Sequence, residues 1–425
     1  MSLKDSRRVI FHIDVNSAYL SWEAVYRLHH LGGRQDLRKE VSAVGGDAAM
    51  RHGIILAKSI PAKRYHIQTG ETIVDALRKC PELILVPPNY GLYEKCSRAF
   101  MEILRRYSPG VEQYSVDEAF VDMSGTQGLW GDPLTAASRI KDEIRDTLGF
   151  TVNVGVSENK LLAKMASDFQ KPDRIHTLWK EEIEAKMWRL PISDLFFVGR
   201  ATAKKLINLG ILTIGDLAHA DLGILRAHLK KHGEVLRAFA NGIDVSVVQT
   251  EPPANKGYGN STTIAFDVTD ASTARLVLLA LAETIGTRLR QAGVRAEVIA
   301  VGIKSCDLNY ASHQMTLNNP TSITSELHKY ACRLFDELWD GVPIRHLGIH
   351  TGRIRDGAYM RQIDMFDNTD YEKLEKRDAA VDQIRTRYGI DSMKRAAFLE
   401  SPIDHMSGGI SREKRSVDYK KICWS

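Results

Sequence analysis

Three acidic residues stand where they could do chemistry. Asp117 and Glu118 are neighbours inside Tyr114-Ser115-Val116-Asp117-Glu118-Ala119-Phe120-Val121-Asp122, a run that otherwise reads as an apolar β-hairpin. Asp14 ends an upstream strand, Val9-Ile10-Phe11-His12-Ile13-Asp14-Val15. Taking a bare carboxylate out of water is expensive unless a cation neutralises it. Three acids on neighbouring strand ends are a minimal set for two magnesium ions and phosphoryl transfer. Adjacent side chains on a regular strand point to opposite faces, so Asp117 and Glu118 share one site only where the strand bends or ends. In the chemical reading, one ion lowers the pKa of an attacking hydroxyl and the other holds a triphosphate and its leaving oxygen. Judged on these local residues alone, a solvated turn with a stray acid pair is an equal alternative.

The elements that must position these acids follow from periodicity and punctuation. Residues 9 to 15 read as a strand and 17 to 31 as a helix stopped by Gly32-Gly33. Two short strands fall within 41 to 58, a helix within 71 to 79, a strand at 83 to 86 closed by Pro87-Pro88, and an amphipathic helix at 90 to 106. After the acidic hairpin come a helix from about 132 to 148, a strand at 150 to 156 and a helix at 159 to 169. With residues 17 to 82 set aside as an insertion, the order is the split βαβ, ferredoxin-like pattern. Residues 192 to 239 read as short helices with turns at Gly199, Gly210 and Gly233. The polar, Pro-containing stretch 249 to 257 reads as a linker. Beyond it, two strand–helix–strand blocks run to about 363, followed by a tail of mixed charge that reads as helical or partly disordered.

The bulk properties bound the class. A chain of 425 residues suits two to four domains. A net charge of +5 permits a nucleic-acid partner without demanding one. No signal peptide is read at the N-terminus and no window has the roughly 18 apolar residues of a membrane span. The five cysteines lie far apart with no Cys-x-x-Cys pair, which argues for reduced thiols, a cytoplasmic location and no zinc site.

Three stretches carry a resemblance in the right order and at the right spacing. They are His12-Ile13-Asp14-Val15-Asn16-Ser17-Ala18-Tyr19, Tyr114-Ser115-Val116-Asp117-Glu118-Ala119-Phe120, and Val154-Gly155-Val156-Ser157-Glu158-Asn159-Lys160-Leu161-Leu162-Ala163-Lys164. Over residues 8 to 366 the chain resembles the Y-family translesion DNA polymerases, of the lesion-bypass type of Gram-positive bacteria. The resemblance implies an α+β, multidomain, right-hand polymerase. Its expected parts are a ferredoxin-like palm (1–20 and 84–180), small fingers (21–83) and a helix-hairpin-helix thumb (186–245). A linker (246–255), an α/β little finger (256–361) and a clamp-binding peptide with a C-terminal tail (362–425) complete it.

The same resemblance assigns residues. Asp14, Asp117 and Glu118 map to the catalytic metal ligands, joined by the backbone carbonyl of Val15, for two Mg²⁺ ions that Mn²⁺ can replace. Asn16 stands where many members carry a second Asp that is not usually a ligand. Tyr19 maps to the steric gate, the ring that leaves no room for a 2′-hydroxyl. Lys63 and Lys171 map to triphosphate-binding cations. Ile60 occupies the position of an aromatic hydroxyl, and Ser59 is the candidate to replace that contact. In the thumb, Val198, Gly199, Arg200 and Lys204 fall at a helix N-terminus that would present backbone N–H groups to a DNA phosphate, with Phe197 where the motif has Gly. This region carries nine Lys/Arg against five Asp/Glu, a surplus that suits contact with phosphates. The little finger's twelve Lys/Arg barely exceed its ten Asp/Glu, so any grip on DNA there must come from placement. Gln362, Met365 and Phe366 resemble the peptide that holds the bacterial sliding clamp.

The implied function is template-directed, low-fidelity DNA synthesis across damaged templates. It transfers nucleotides from dNTPs to a primer 3′-hydroxyl as a monomer, without proofreading or membrane association. The rivals are an accessory protein that binds DNA and clamp without chemistry, and a nucleotidyl cyclase built on the same palm-type fold.

Overall fold

The computed structural model describes residues 7–46, 53–356, 359, 361, 362 and 368–406. Among them, 7–45 and 55–252 fall in one compact unit and 253–406 in a second.

The first unit begins with β1 (Ile10–Val15), α1 (Ala18–His30), β2 (Ser42–Gly45), β3 (Ile55–Lys58), α2 (Ile60–Lys63), α3 (Ile73–Lys79), β4 (Ile84–Val86) and α4 (Tyr90–Tyr107). It continues with β5 (Val111–Gln113), β6 (Glu118–Asp122), α5 (Gln127–Trp130), α6 (Pro133–Leu148), β7 (Val152–Ser157), α7 (Lys160–Asp168), β8 (Ile175–Thr177) and α8 (Ile183–Lys186). Four short helices close it: α9 (Arg200–Asn208), α10 (Ile214–His219), α11 (Leu222–Leu229) and α12 (Lys231–Ala240). The boundaries follow from local chemistry. Asp132 caps α6 by accepting the Leu134 and Thr135 N–H groups, Pro133 opens the helix, and Gly149 at φ +75° ends it.

The main sheet has the order β5-β6-β1-β7-β8. Its first four strands give the ferredoxin-like arrangement, and β8 adds an edge parallel to β7 that periodicity did not reveal. Strand alternation splits β1 into two faces. Phe11, Ile13 and Val15 enter a core with Phe100, Leu104, Ile140 and Ile144 from α4 and α6. Ile10, His12 and Asp14 face the other way, where α7 lies: Ile10 packs with Phe120 and Ala163. Gly155 permits that approach, because a Cβ there would come within 1.9 Å of the Ala163 carbonyl oxygen. A smaller sheet, β3-β2-β4, carries its own apolar core of Ala43, Ile55, Ile67 and Ile73.

The chain after α12 runs along the first unit over residues 242–249. Gly242 and Ser246 carbonyls accept from Asn159 (2.9 Å) and Arg8 (3.2 Å), and Asp244 accepts the Leu161 N–H (3.1 Å). The Gln249 N–H donates to Glu112 (2.7 Å), and Val248 packs against Ile10, Phe120 and Ala163.

The second unit is β9 (Gly259–Val268), α13 (Ala271–Gln291), β10 (Val294–Ser305), β11 (Tyr310–Thr321), α14 (Thr324–Leu338) and β12 (Ile344–Asp356), with the C-terminal helix α15 (Tyr371–Tyr388). Its sheet, β11-β10-β12-β9, is wholly antiparallel and covered on one face by α13 and α14.

Candidate active site

The antiparallel register of β1 and β6 sets Asp14 directly opposite Glu118. Cross-strand partners share a face with Cα atoms about 4.5–5.5 Å apart, so these two carboxylates stand side by side on the α7 face. Asp117 lies one residue before β6, at the tip of the hairpin, where its carbonyl accepts the Val15 N–H at 3.0 Å. The strand therefore starts at the acid pair, which is the bend that two adjacent acids need to reach one site. Ser115 Oγ donates to Asp117 Oδ1 at 2.7 Å and orients it.

Two ammonium groups face these acids. Lys171 contacts Asp14 and bonds Asp168 at 2.9 Å. Lys164, from α7, donates to Glu118 Oε1 at 2.7 Å. Burial pushes Asp14 up to about 6, with Glu118 and Asp117 adding to the rise and Lys171 opposing it. Burial works against the charge of Lys171, yet Asp14 and Asp168 hold it above the usual lysine range. Behind Lys164 sits His12, fully buried, whose Nδ1 lies 2.8 Å from Ser167 Oγ. Ser167 donates its own hydrogen to the Lys164 carbonyl, so it accepts from His12 Nδ1. The other ring nitrogen then faces Lys164 Nζ at 3.5 Å. Burial, helped by the charges of Lys164 and Lys171, holds His12 well below its ordinary value and therefore neutral.

This donor set suits a hard divalent cation: all ligands are oxygen, one carboxylate is buried, and the acids repel one another. Among the described residues no three acid, His or Cys side chains are already closed round one point.

Tyr19 reaches the same place from the other face. Ser17, at φ +47°, turns the chain sharply after β1 and delivers Tyr19 on the first turn of α1. The charge of Asp117 acts on the half-buried Tyr19 phenol, which burial chiefly pushes upward. The ring is stacked on Tyr93, with centroids 4.4 Å apart.

Other expected residues are placed more plainly. Lys63 is exposed at the end of α2. Ser59 is buried, and its Oγ already accepts the Ser42 and Ala62 N–H groups. It is the N-cap of α2, and the hydroxyl's own hydrogen is not used by those two bonds. Ile60 is 49% exposed beside it. Phe197 keeps the left-handed backbone of a glycine turn, at φ +72°, with its ring edge-on to Phe196 and Phe239. Gly199 then caps α9 with no side-chain partner, and a Cβ there would meet nothing within 4 Å. The α9 N-terminus, with Val198 before it and Arg200 and Lys204 on it, is thus open to an approaching anion. In the second unit, the Gln362 backbone is paired with the Asn319 side chain at 2.9 and 3.0 Å. Met365 and Phe366 lie outside the described residues.

Two groups were not legible as site residues. Asn16 bonds Asn153, Thr151 and the Asp173 N–H (3.1, 2.9 and 2.9 Å), which ties the end of β1 to the turn bearing Lys171. Lys164 closes the third stretch that carries the resemblance, yet no role was assigned to it.

Comparison with known proteins agrees with this geometry. The model of the impB/mucB/samB family matches residues 13–168, that of its C-terminal domain 255–365, and the IMS family HHH motif 180–211. The chain is 44% identical over 394 residues to DNA polymerase IV of Clostridium acetobutylicum, covering 92% of this chain and 98% of that protein. It is 34% identical over 416 residues to DNA polymerase IV 1 of Bacillus subtilis, covering 97% and 99%. The fold matches the solved Y-family DNA polymerase chimera Dbh-Dpo4(243-245)-Dbh with a TM-score of 0.70 at 21% identity, over 82% of this chain and 100% of that one. With those matches spanning both units and the acid-bearing sheet, the chain belongs to the impB/mucB/samB family, within the Y family of DNA polymerases.

Proposed function

We propose that the protein is a DNA-directed DNA polymerase that copies damaged templates at low fidelity. The observation that carries this reading is the register pairing of Asp14 with Glu118 beside Asp117, at the open end of the sheet. Asp14, Asp117, Glu118 and the Val15 carbonyl would hold two Mg²⁺ ions, which when bound would activate the primer 3′-hydroxyl and neutralise the triphosphate. Lys171 would release Asp14 and swing to the phosphates, where an ammonium serves as a point charge. Lys63 would meet the same phosphates from the small β3-β2-β4 region. Tyr19 would underlie the sugar and exclude a 2′-hydroxyl.

The rest of the chain takes the roles of a hand. Residues 1–20 and 84–180 act as palm, 21–83 as fingers, 186–245 as thumb and 256–361 as little finger. The open α9 N-terminus, through Val198, Gly199, Arg200 and Lys204, would grip a DNA phosphate without reading bases. The segment Gln362 to Phe366 would tether the enzyme to a sliding clamp and raise its effective concentration at primer ends. The small fingers leave little to clamp over the base pair, which favours lesion tolerance over accuracy.

Primer extension with dNTPs and Mg²⁺, on wild type and Asp117→Ala, tests this. Extension by wild type that is lost in the variant is expected. A protein that binds primer-template but extends nothing with either chain would favour the accessory-protein reading. Conversion of a nucleoside triphosphate to a cyclic product would favour a cyclase.

A further inference from the structure

Behind Tyr19 lies a layer of side chains that the metal chemistry does not use. Tyr93, 1% exposed, stacks under Tyr19 at an interplanar angle of 12°. Tyr90 meets both rings edge-on, and Trp22 is tilted against both, its centroids 5.9 and 5.8 Å away. Stacking alone allows rings to slide over one another, because offset arrangements differ little in energy. Tyr93 is also held at its polar end. Its hydroxyl donates to Glu23 Oε1 at 3.0 Å.

Glu23 is a carboxylate buried to 3% exposure, one turn along α1 from Tyr19. Its second oxygen faces Arg27 at 3.5 Å. A carboxylate at that depth is costly to keep unless it holds something in place. Burial raises Glu23 above the usual range, and it also keeps the Tyr93 phenol neutral and hence a donor. Cys96 of α4, buried in the same core, lies close enough for the Glu23 charge to act on it.

We infer that Glu23 is a positioning residue for sugar selection: it fixes the hydroxyl of Tyr93, and Tyr93 fixes the plane of Tyr19 against which the incoming sugar is judged. The inference rests on the reading of Tyr19 as the gate. Glu23 touches no substrate, and its effect passes through two rings.

The test is steady-state insertion of a ribonucleotide against the matching deoxynucleotide by the full chain, with kcat and KM resolved for each. Tyr19→Ala is the reference and is expected to raise the relative ribonucleotide kcat/KM by two orders of magnitude or more, about the loss of a sterically exclusive contact. Glu23→Leu and Tyr93→Phe are each expected to raise it about threefold to tenfold, the scale of one ring orientation. Glu23→Gln keeps the acceptor and is expected to retain wild-type selectivity. A general loss of structure lowers both nucleotides together and leaves the ratio alone. If Glu23→Leu does not fold, Tyr93→Phe, which removes one oxygen atom, carries the test. Unchanged ratios in Tyr93→Phe and Glu23→Leu with a raised ratio in Tyr19→Ala overturn the anchor. An unchanged ratio in Tyr19→Ala overturns the gate itself.

Discussion

Two clusters of acids in the protein are neutralised in two different ways. In the first unit, Asp14 and Glu118 each face a lysine, Lys171 and Lys164. In the second, Glu283 and Asp378, both 3% exposed, sit among arginines that dock α15 and the segment after it. Glu283 takes Arg385 at 3.2 Å and Arg395 at 2.5 Å. Asp378 accepts the Thr324 N–H at 2.8 Å and faces Arg290 at 3.4 Å, while Arg290 also holds Asp382 at 2.6 Å. An arginine fork is planar, preorganised and multiply bonded, whereas a lysine is a point charge on a flexible stem. The arginine cluster therefore works as a fastening. Under the proposed function, the lysine pairs would give way to a divalent cation. A buried acid by itself does not mark a reactive centre; the kind of counter-charge that meets it does.

Substitutions can break this contrast. Asp117→Ala should lower Mg²⁺-dependent primer extension by at least about 10³-fold, the scale of losing one member of a catalytic unit, with an unchanged melting temperature. A large loss of stability instead would make this acid a fastening too. Glu283→Ala should do the reverse. It leaves the buried Arg385 without its acid, at a cost of about 3–5 kcal/mol, and residues 371–406 should become protease-sensitive while extension per folded molecule is retained. Lys164→Arg moves the second region's chemistry into the first. A charge-assisted fork on Glu118 should raise the Mg²⁺ needed for half-maximal extension several-fold, roughly 1 kcal/mol, and an unchanged requirement would mean that Lys164 never yields its acid.

The smallest effect concerns pH. Burial raises Glu23 in the folded state, so the folded chain binds that proton more tightly than the unfolded one. The associated stability is complete below the unfolded value and is lost as pH rises through the folded value. Glu23→Gln has no such loss. Its melting temperature relative to wild type should therefore climb between pH 4 and pH 7, and a flat difference would mean that Arg27 fully compensates the burial.

Much of the architecture could be read before any coordinates. The strands at 9–15 and 150–156 and the helices at 90–106 and 132–148 fell within a residue or two of their final bounds, because alternation, caps and glycine stops are local signals. The edge strand β8 escaped, since three half-buried residues carry no periodicity. Phe197 was marked as a departure from a glycine turn, and the chain adopts the left-handed turn regardless. The N-cap role of Ser59 was not legible, because a buried cap and a phosphate contact call for the same kind of hydroxyl.

What the amino-acid order determined by itself was the inventory: two adjacent acids at a strand start, a third at a strand end, and a tyrosine five residues beyond it. Those are matters of neighbouring side chains and 2.0- or 3.6-residue periods. Only tertiary structure decided the partnerships. Lys164 lies 46 residues from Glu118 and Lys171 lies 157 from Asp14. Tyr93 lies 70 residues from the carboxylate that holds it. Strand order, register and the close seat of α7 over Gly155 bring such groups together, and no local pattern encodes a pairing across that much chain.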